Sequence, residues 1–438
     1  MKTNKTSAYV RHDPSEILAS LVALKDTRIL FVRRVEALVE IWIERIIESP
    51  RCPSCGVPAQ VKDRPVVRYV DLPCFGEPAR VVWRKHRLRC MSHGCSTKSW
   101  LFDDHRIAAK NVMLTTRCAK WVTKQVGKGR TVAEVARELH CDWDAVNNAV
   151  TVYGGALLEA DHKRLNKTVA LGLDETSFVK LGRHSHRQYC TTVADVGNHQ
   201  IIDVLPTRNY VDVAAWIKAR PKQWKRRIRY GALDMSAAYA AVFSVVLPHA
   251  TQVVDPFHAV ALANRALDDV RRRVQIEQLG HRGRKDDPLY RIRRSLLRGE
   301  ERLDEKAAQR LESLLTLGDP NAEVAIAHRV KEFLRDFYRM TGIDDAREAL
   351  AALVHHSSKK AMSPEIQRLG RSIKRWFDKI LNWHTAKVSN GPTEAINNLI
   401  KRVKRIGFGF RNFENYRIRV LLYAGKPNWR VLDSIVVQ

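Results

Sequence analysis

"KTVALGLDETSFVK" (residues 167–180) and "RYGALDMSAAY" (residues 229–239) decide the fold class of this chain. Each is a short apolar run that closes on an acid, Asp174 in the first and Asp234 in the second. Short apolar runs bounded by polar or turn residues read as buried strands. "HRQYCTTVADV" and "HQIIDVLPTR" follow the first run as hairpin partners, and "YVDVAAWIK" then has a helical pattern. After the second run come a helical "AYAAVFSVVLP" and a further buried strand, "TQVVDPFH". Three strands, helix, strand, helix, strand predicts a mixed α/β sheet.

The charge balance narrows the function. The 438 residues carry 76 Lys plus Arg against 47 Asp plus Glu, a formal net charge of +29. That excess favours a polyanionic partner, nucleic acid first. No stretch approaches the ~18 apolar residues of a membrane span. The N-terminal residues lack the apolar core and cleavage site of a signal peptide, so a cytoplasmic location with reduced cysteines is expected.

Reduced, closely spaced cysteines read as metal ligands. Cys52 and Cys55 form a C-x2-C knuckle, and Cys90 and Cys95 form a second, wider pair with His93 between them. Extended, turn-punctuated sequence joins the pairs. Two knuckles on a β-ribbon suit tetrahedral Zn²⁺ held by Cys52, Cys55, Cys90 and Cys95, with His93 an alternative fourth ligand. In "GRTVAEVARELHCDWDAVNNAVTVYG", Thr131 and Glu134 make a capping box, and Asp142 can cap a second helix. Two short helices across a tight turn fit a helix-turn-helix, from which Asn147 and Asn148 could reach base edges.

Residues 259–385 hold no convincing strand and read as a helical insertion. Arg271 to Arg298 carries ten Lys/Arg against three acids. The chain then runs through "KVSNGPTEAINNLIKRVKRIGFGFRNF", Lys387 to Phe413. Pro392 starts a helix with Ile396, Leu399, Ile400, Val403 and Ile406 on one face. Glu394, Asn398, Lys401 and Arg405 fall on the other. Glu394 thus heads a stripe of cations suited to phosphate contacts, with Arg402 and Lys404 nearby.

Asp174 and Asp234 are delivered by buried strands to a sheet edge, where ligands and chemistry commonly sit. In a basic protein, convergent carboxylates suit Mg²⁺ or Mn²⁺, which take oxygen ligands and leave positions for phosphate and water. Glu175 and Asp255 are rival strand-end acids, so the residues alone leave the set open.

"LGLDETSF", "LDMSAAY", "VVDPFHAV" and "SNGPTEAINNLIKRVKRIGFGFRNF" together resemble the core motifs of the ISL3 family of insertion-sequence transposases. The likeness covers nearly the whole chain. It implies a multidomain α/β protein: an N-terminal zinc ribbon, a helix-turn-helix, and a ribonuclease-H-like mixed-sheet catalytic domain interrupted by an all-α insertion. It implies Asp174, Asp234 and Glu394 as catalytic residues holding Mg²⁺ or Mn²⁺, with Asp255 and His258 supporting them. The expected segments are 1–50 (helix and strand), 51–105 (zinc), 106–160 (helix-turn-helix), 161–262 (catalytic, first part), 263–380 (insertion) and 381–438 (catalytic, second part, and tail). The expected partners are double-stranded DNA, as terminal inverted repeats and target, and a second copy of the chain in a dimer or larger synaptic complex. No membrane partner is expected, and the setting is prokaryotic and nucleoid-associated. The competing reading is a zinc and helix-turn-helix regulator whose sheet domain is not catalytic.

Overall fold

A computed structural model describes residues 13–165, 167–181, 186–389 and 391–437, without the side chains of residues 179–181, 186, 187 and 394. The chain forms two compact units. One comprises the described residues up to Arg164 together with those from Lys401 onward, and the other runs from Leu165 to Ile400. The division falls inside the helix Gly391–Ile406.

The first unit opens with a helix, Pro14–Val22, capped by Asp13. Strands β1 (Thr27–Val35), β2 (Leu38–Arg45), β4 (Val66–Cys74) and β5 (Glu77–Arg84) form one sheet in the order β1-β2-β5-β4. In β2, "LVEIWIER", Val39, Ile41 and Ile43 alternate along the strand and are buried. Glu40 between them is buried as well, and Arg33 pairs with it at 2.7 Å. Strands β3 (Ala59–Asp63), β6 (Arg87–Cys90) and β7 (Ser99–Leu101) form a second, three-stranded antiparallel sheet.

Helices Thr116–Gly127, Val132–Glu138 and Trp143–Ala160 follow. The Thr131–Glu134 capping box is formed, each side chain meeting the other residue's backbone N–H at 3.0 Å. Val132, Val135, Ala136 and Leu139 are buried with Val146, Ala149 and Val150 in one core. Ile418, Leu422 and Leu432, from the C-terminal helices Phe413–Ala424 and Trp429–Ser434, complete that core. Asp71 on β4 is fully buried, accepting from Thr115 at 2.6 Å and from Arg117 Nε at 2.8 Å. A buried carboxylate needs such partners, and these ones tie the sheet to the start of the helix Thr116–Gly127.

The second unit is built on strands β8 (Ala170–Leu181), β9 (His186–Asp195), β10 (Gln200–Leu205), β11 (Tyr230–Leu233) and β12 (Thr251–Val254). Their order is β10-β9-β8-β11-β12. β9 is antiparallel to both β8 and β10, whereas β11 is parallel to both β8 and β12. Helices Tyr210–Lys218 and Lys222–Arg227 connect β10 to β11, and Ala237–Val246 connects β11 to β12. The chain is therefore mixed α/β, with the strand and helix order expected of it. Gly231 lets the last connecting helix lie close, because a Cβ there would meet the Phe243 ring at 2.6 Å. The insertion is helical throughout its described elements, from Pro256–Leu279 to Trp383–Ala386. Its apolar residues join the sheet's own in one continuous core.

Candidate active site

Strand register brings three of the candidate acids to one level. Leu233 on β11 is opposite Leu173 on β8 and Val254 on β12. The next residues along the three parallel strands are Asp174, Asp234 and Asp255. Neighbouring strands lie about 4.8 Å apart, so Asp174 and Asp234 are adjacent. Asp234 follows the end of β11, but β8 does not close on Asp174 as expected: it runs on to Leu181, held by its antiparallel pairing with β9. Glu175 follows Asp174 and so points to the other face by the period of two; it pairs with Arg208 at 3.4 Å.

The electrostatics match this closeness. Burial, and then the charge of Asp174, push the Asp234 carboxyl above the usual aspartate range, with His258 and the Ser236 N–H opposing them. Asp234 Oδ1 is buried with no hydrogen-bond partner among the described residues. Asp174 is better provided: Oδ1 accepts from the Glu175 N–H at 2.7 Å and Oδ2 from Asn397 Nδ2 at 2.5 Å. Asn397 belongs to the helix Gly391–Ile406. Glu394 lies three residues earlier on that helix, and positions three apart are neighbours on a helix surface. Its side chain is outside the described residues.

A cavity of about 310 Å³ opens beside Asp234, lined by His258, Arg265, Ser372, Arg375 and Trp376 among others. The two arginines are exposed, and His258 Nε2 is buried without a hydrogen-bond partner among the described residues. Asp255 is buried and caps the helix Pro256–Leu279, accepting from the Phe257 N–H at 3.4 Å. A carboxylate that lines a cationic cleft, with a second carboxylate on the adjacent strand, can hold a divalent ion while the arginines meet a phosphodiester.

In the first unit, the Sγ atoms of Cys52, Cys55, Cys90 and Cys95 all lie within 4.8 Å of one another. Cys52 and Cys95 are 3.8 Å apart, and Cys55 and Cys90 are 3.4 Å apart. Tetrahedral zinc with Zn–S bonds of ~2.3 Å needs sulfurs ~3.8 Å apart. The cluster therefore fits zinc, and it is complete without His93.

A family model described as Transposase, of the ISL3 type, matches residues 171–420. The chain belongs to the ISL3 family of transposases. It is 27% identical over 394 residues to the transposase for insertion sequence element IS1001 of Bordetella parapertussis, covering 87% of this chain and 90% of that one. It is 26% identical over 262 residues to the transposase for IS1557 of Mycobacterium tuberculosis, covering 55% of this chain and 57% of that one. Membership implies DNA as partner and use of a divalent metal. Among the described residues, no helix is long and apolar enough to cross a membrane.

The transposase's basic helix has its expected apolar face, with Ile396, Ile400 and Val403 buried. Leu399 is 38% exposed because it lies ~60° to the edge of that face at 100° per residue. Lys401, Arg402 and Arg405 are exposed, Lys404 is half-buried, and the Arg402 guanidinium lies 5.7 Å from the centre of the Tyr423 ring. In the Trp143–Ala160 helix, Asn147 is half-buried, and Asn148 donates to the Asn111 carbonyl at 2.8 Å. That bond occupies one of the amide donors expected to read a base.

Parts of the basic insertion serve the fold itself. Arg271 is buried on Asp268, and Arg273 bonds Glu323 at 2.5 Å and Glu365 at 2.9 Å. Asn397 was missing from the sequence-based set. Its spacing of three from Glu394 was the available signal, but a partner 223 residues away was not visible in it.

Proposed function

We propose that this transposase binds the terminal inverted repeats of its insertion sequence and catalyses metal-dependent strand cleavage and strand transfer. In this reading Asp174, Asp234 and Glu394 are the acidic triad of a ribonuclease-H-like domain. The observation that carries it is the strand register that sets Asp174 beside Asp234 while the Glu394 helix bonds Asp174 through Asn397. The strand order β10-β9-β8-β11-β12, antiparallel on one side and parallel on the other, supports the ribonuclease-H-like assignment.

The residues fit a hard divalent cation. Asp234 presents a buried, unpartnered oxygen and is destabilised by its neighbour's charge, which a cation would relieve. Bound Mg²⁺ or Mn²⁺ supplies activation of an attacking oxygen and stabilisation of the leaving one. Asp174 and Asp234 hold that ion, with Glu394 as the third ligand. Asn397 fixes the orientation of the Asp174 carboxylate. Arg265 and Arg375 neutralise the diester, and His258 and Asp255 shape the wall beside Asp234. Lys401, Arg402, Lys404 and Arg405 hold the DNA backbone. The zinc ribbon and the helices around Asn147 and Asn148, a helix-turn-helix in this reading, recognise element ends. Joining two ends requires two sites, hence a homodimer or larger assembly.

The test is incubation with the DNA flanking the element and Mg²⁺, with nicks mapped at nucleotide resolution. Asp174→Asn, Asp234→Asn and Glu394→Gln are expected to lose cleavage and keep end binding. Full cleavage by all three variants would falsify the triad.

A further inference from the structure

The helix Gly391–Ile406 ends in an uncommon way. Phe408 donates its N–H to the Arg405 carbonyl at 3.1 Å, and Gly409 donates to the Lys404 carbonyl at 3.0 Å. This pair of bonds is a Schellman closure, whose left-handed residue is by default glycine. Here that residue is Phe408, at φ 51, with a glycine on either side. Its side chain is 94% exposed. The position is unfavourable twice: left-handed backbone crowds the Cβ, and the apolar ring stands in water.

The loop that presents the ring is anchored. Phe410 packs against Tyr416, with ring centres 5.4 Å apart, and the Arg419 guanidinium sits 5.2 Å from the Phe410 ring centre. Phe410 also covers Gly407 so closely that a Cβ there would meet its ring at 2.7 Å. Phe408 is therefore held outward by a fixed neighbour.

The surroundings name the partner. Lys401, Arg402, Arg405 and Arg411 are exposed, and no acid occurs between Glu394 and Glu414. A partner matching both an isolated aromatic face and dense positive charge is a polyanion carrying flat rings. Phe75 is as exposed, at 95%, and also left-handed, but no Lys or Arg occurs between Arg68 and Arg80 and Glu77 stands two residues away, so the turn lacks the cations a polyanion needs.

We propose that Phe408 is a stacking platform for a nucleobase displaced from the DNA stack, while Lys401, Arg405 and Arg411 hold the flanking phosphates. Aromatic stacking on an unpaired base tolerates any sequence and depends on the ring. The inference rests on the DNA-cleaving reading and adds an unstacking step to it.

The experiment uses the full-length protein and a duplex of the element end, with 2-aminopurine moved through its outermost base pairs. Wild type is expected to give a position-specific emission change and permanganate sensitivity at neighbouring thymines. Phe408→Ala and Phe408→Gly should lose both signals, and Phe408→Trp should keep them. Phe408→Gly should melt no earlier than wild type, because glycine suits the left-handed position. An unchanged signal in Phe408→Ala overturns the proposal, as does restoration by Phe408→Leu equal to that by Phe408→Trp. Nicking of the same duplex is measured in parallel. Wild type that nicks without a base-specific signal sinks the stacking platform alone, whereas wild type that signals without nicking sinks the cleavage reading.

Discussion

Replacing Asp234 by Asn should stabilise the metal-free protein while abolishing cleavage. The substitution keeps the shape and removes one of two facing charges. Carboxylates on adjacent parallel strands are separated by ~5–6 Å. At an effective dielectric of about 20 their repulsion is ~3 kcal/mol, and solvent at the cavity mouth reduces it to ~1–2 kcal/mol. A unit of this size gains roughly 2–4 °C per kcal/mol, so a rise of about 2–8 °C is expected without metal. The sign follows from linkage. Burial and Asp174 raise the Asp234 carboxyl in the folded state, so ionising it costs stability as pH climbs through that raised value. The advantage of Asp234→Asn should thus be present at neutral pH and vanish in acid, where the wild-type Asp234 carboxyl is protonated and as neutral as the amide that replaces it. Mg²⁺ should reverse the order by stabilising wild type through binding, with little effect on the variant. Thermal melts at several pH values, with Mg²⁺ and with EDTA, measure all of this. If the variant melts lower in EDTA, or gains the same shift from Mg²⁺ as wild type, the paired-carboxylate argument is wrong.

Asn397→Ala should cut nicking by about 10–100-fold with end binding retained, because a ligand loses its orienting donor; single-turnover nicking assays read this directly. Replacing Cys52 and Cys90 together with Ser should release bound zinc and impair end binding, and unchanged metal content by mass spectrometry would remove the zinc assignment. Lys401→Ala combined with Arg405→Ala should lower the slope of log affinity against log salt by about two for any duplex, since each cation answers to one phosphate. Thr131→Ala should destabilise the first unit by about 1 kcal/mol through loss of the capping box, as read by denaturant titration.

Much of this molecule was legible in local pattern. The buried apolar runs that lead to Asp174 and Asp234, the capping box at Thr131 and the apolar face of the helix Gly391–Ile406 all follow from periodicity and end signals that act over a few residues, although β8 runs on past Asp174 to Leu181 because β9 pairs with it there. The cysteine pairs were equally plain, because knuckle spacing is itself a constraint on metal geometry. Other features were hidden. β1 escaped notice since its side chains are mostly exposed and carry no buried alternation. Arg271 and Arg273 belong to a run that read only as dense positive charge, yet Arg271 bonds Asp268 one turn back on its own helix and Arg273 bonds acids brought to it by two other helices. Asn148 looked free to read a base until the backbone of Asn111 came beside it.

The sequence by itself determined the element order, the ligand types and the end of the basic helix on which Glu394 stands. Tertiary structure alone decided which acids share a level, since register between β8, β11 and β12 depends on hydrogen bonds across residues far apart in the chain. It also decided that Asn397 reaches Asp174, that the four cysteines close one cluster without His93, and that Phe408 faces outward in a position made for glycine. Each of these is a statement about distance between residues that local preference does not encode.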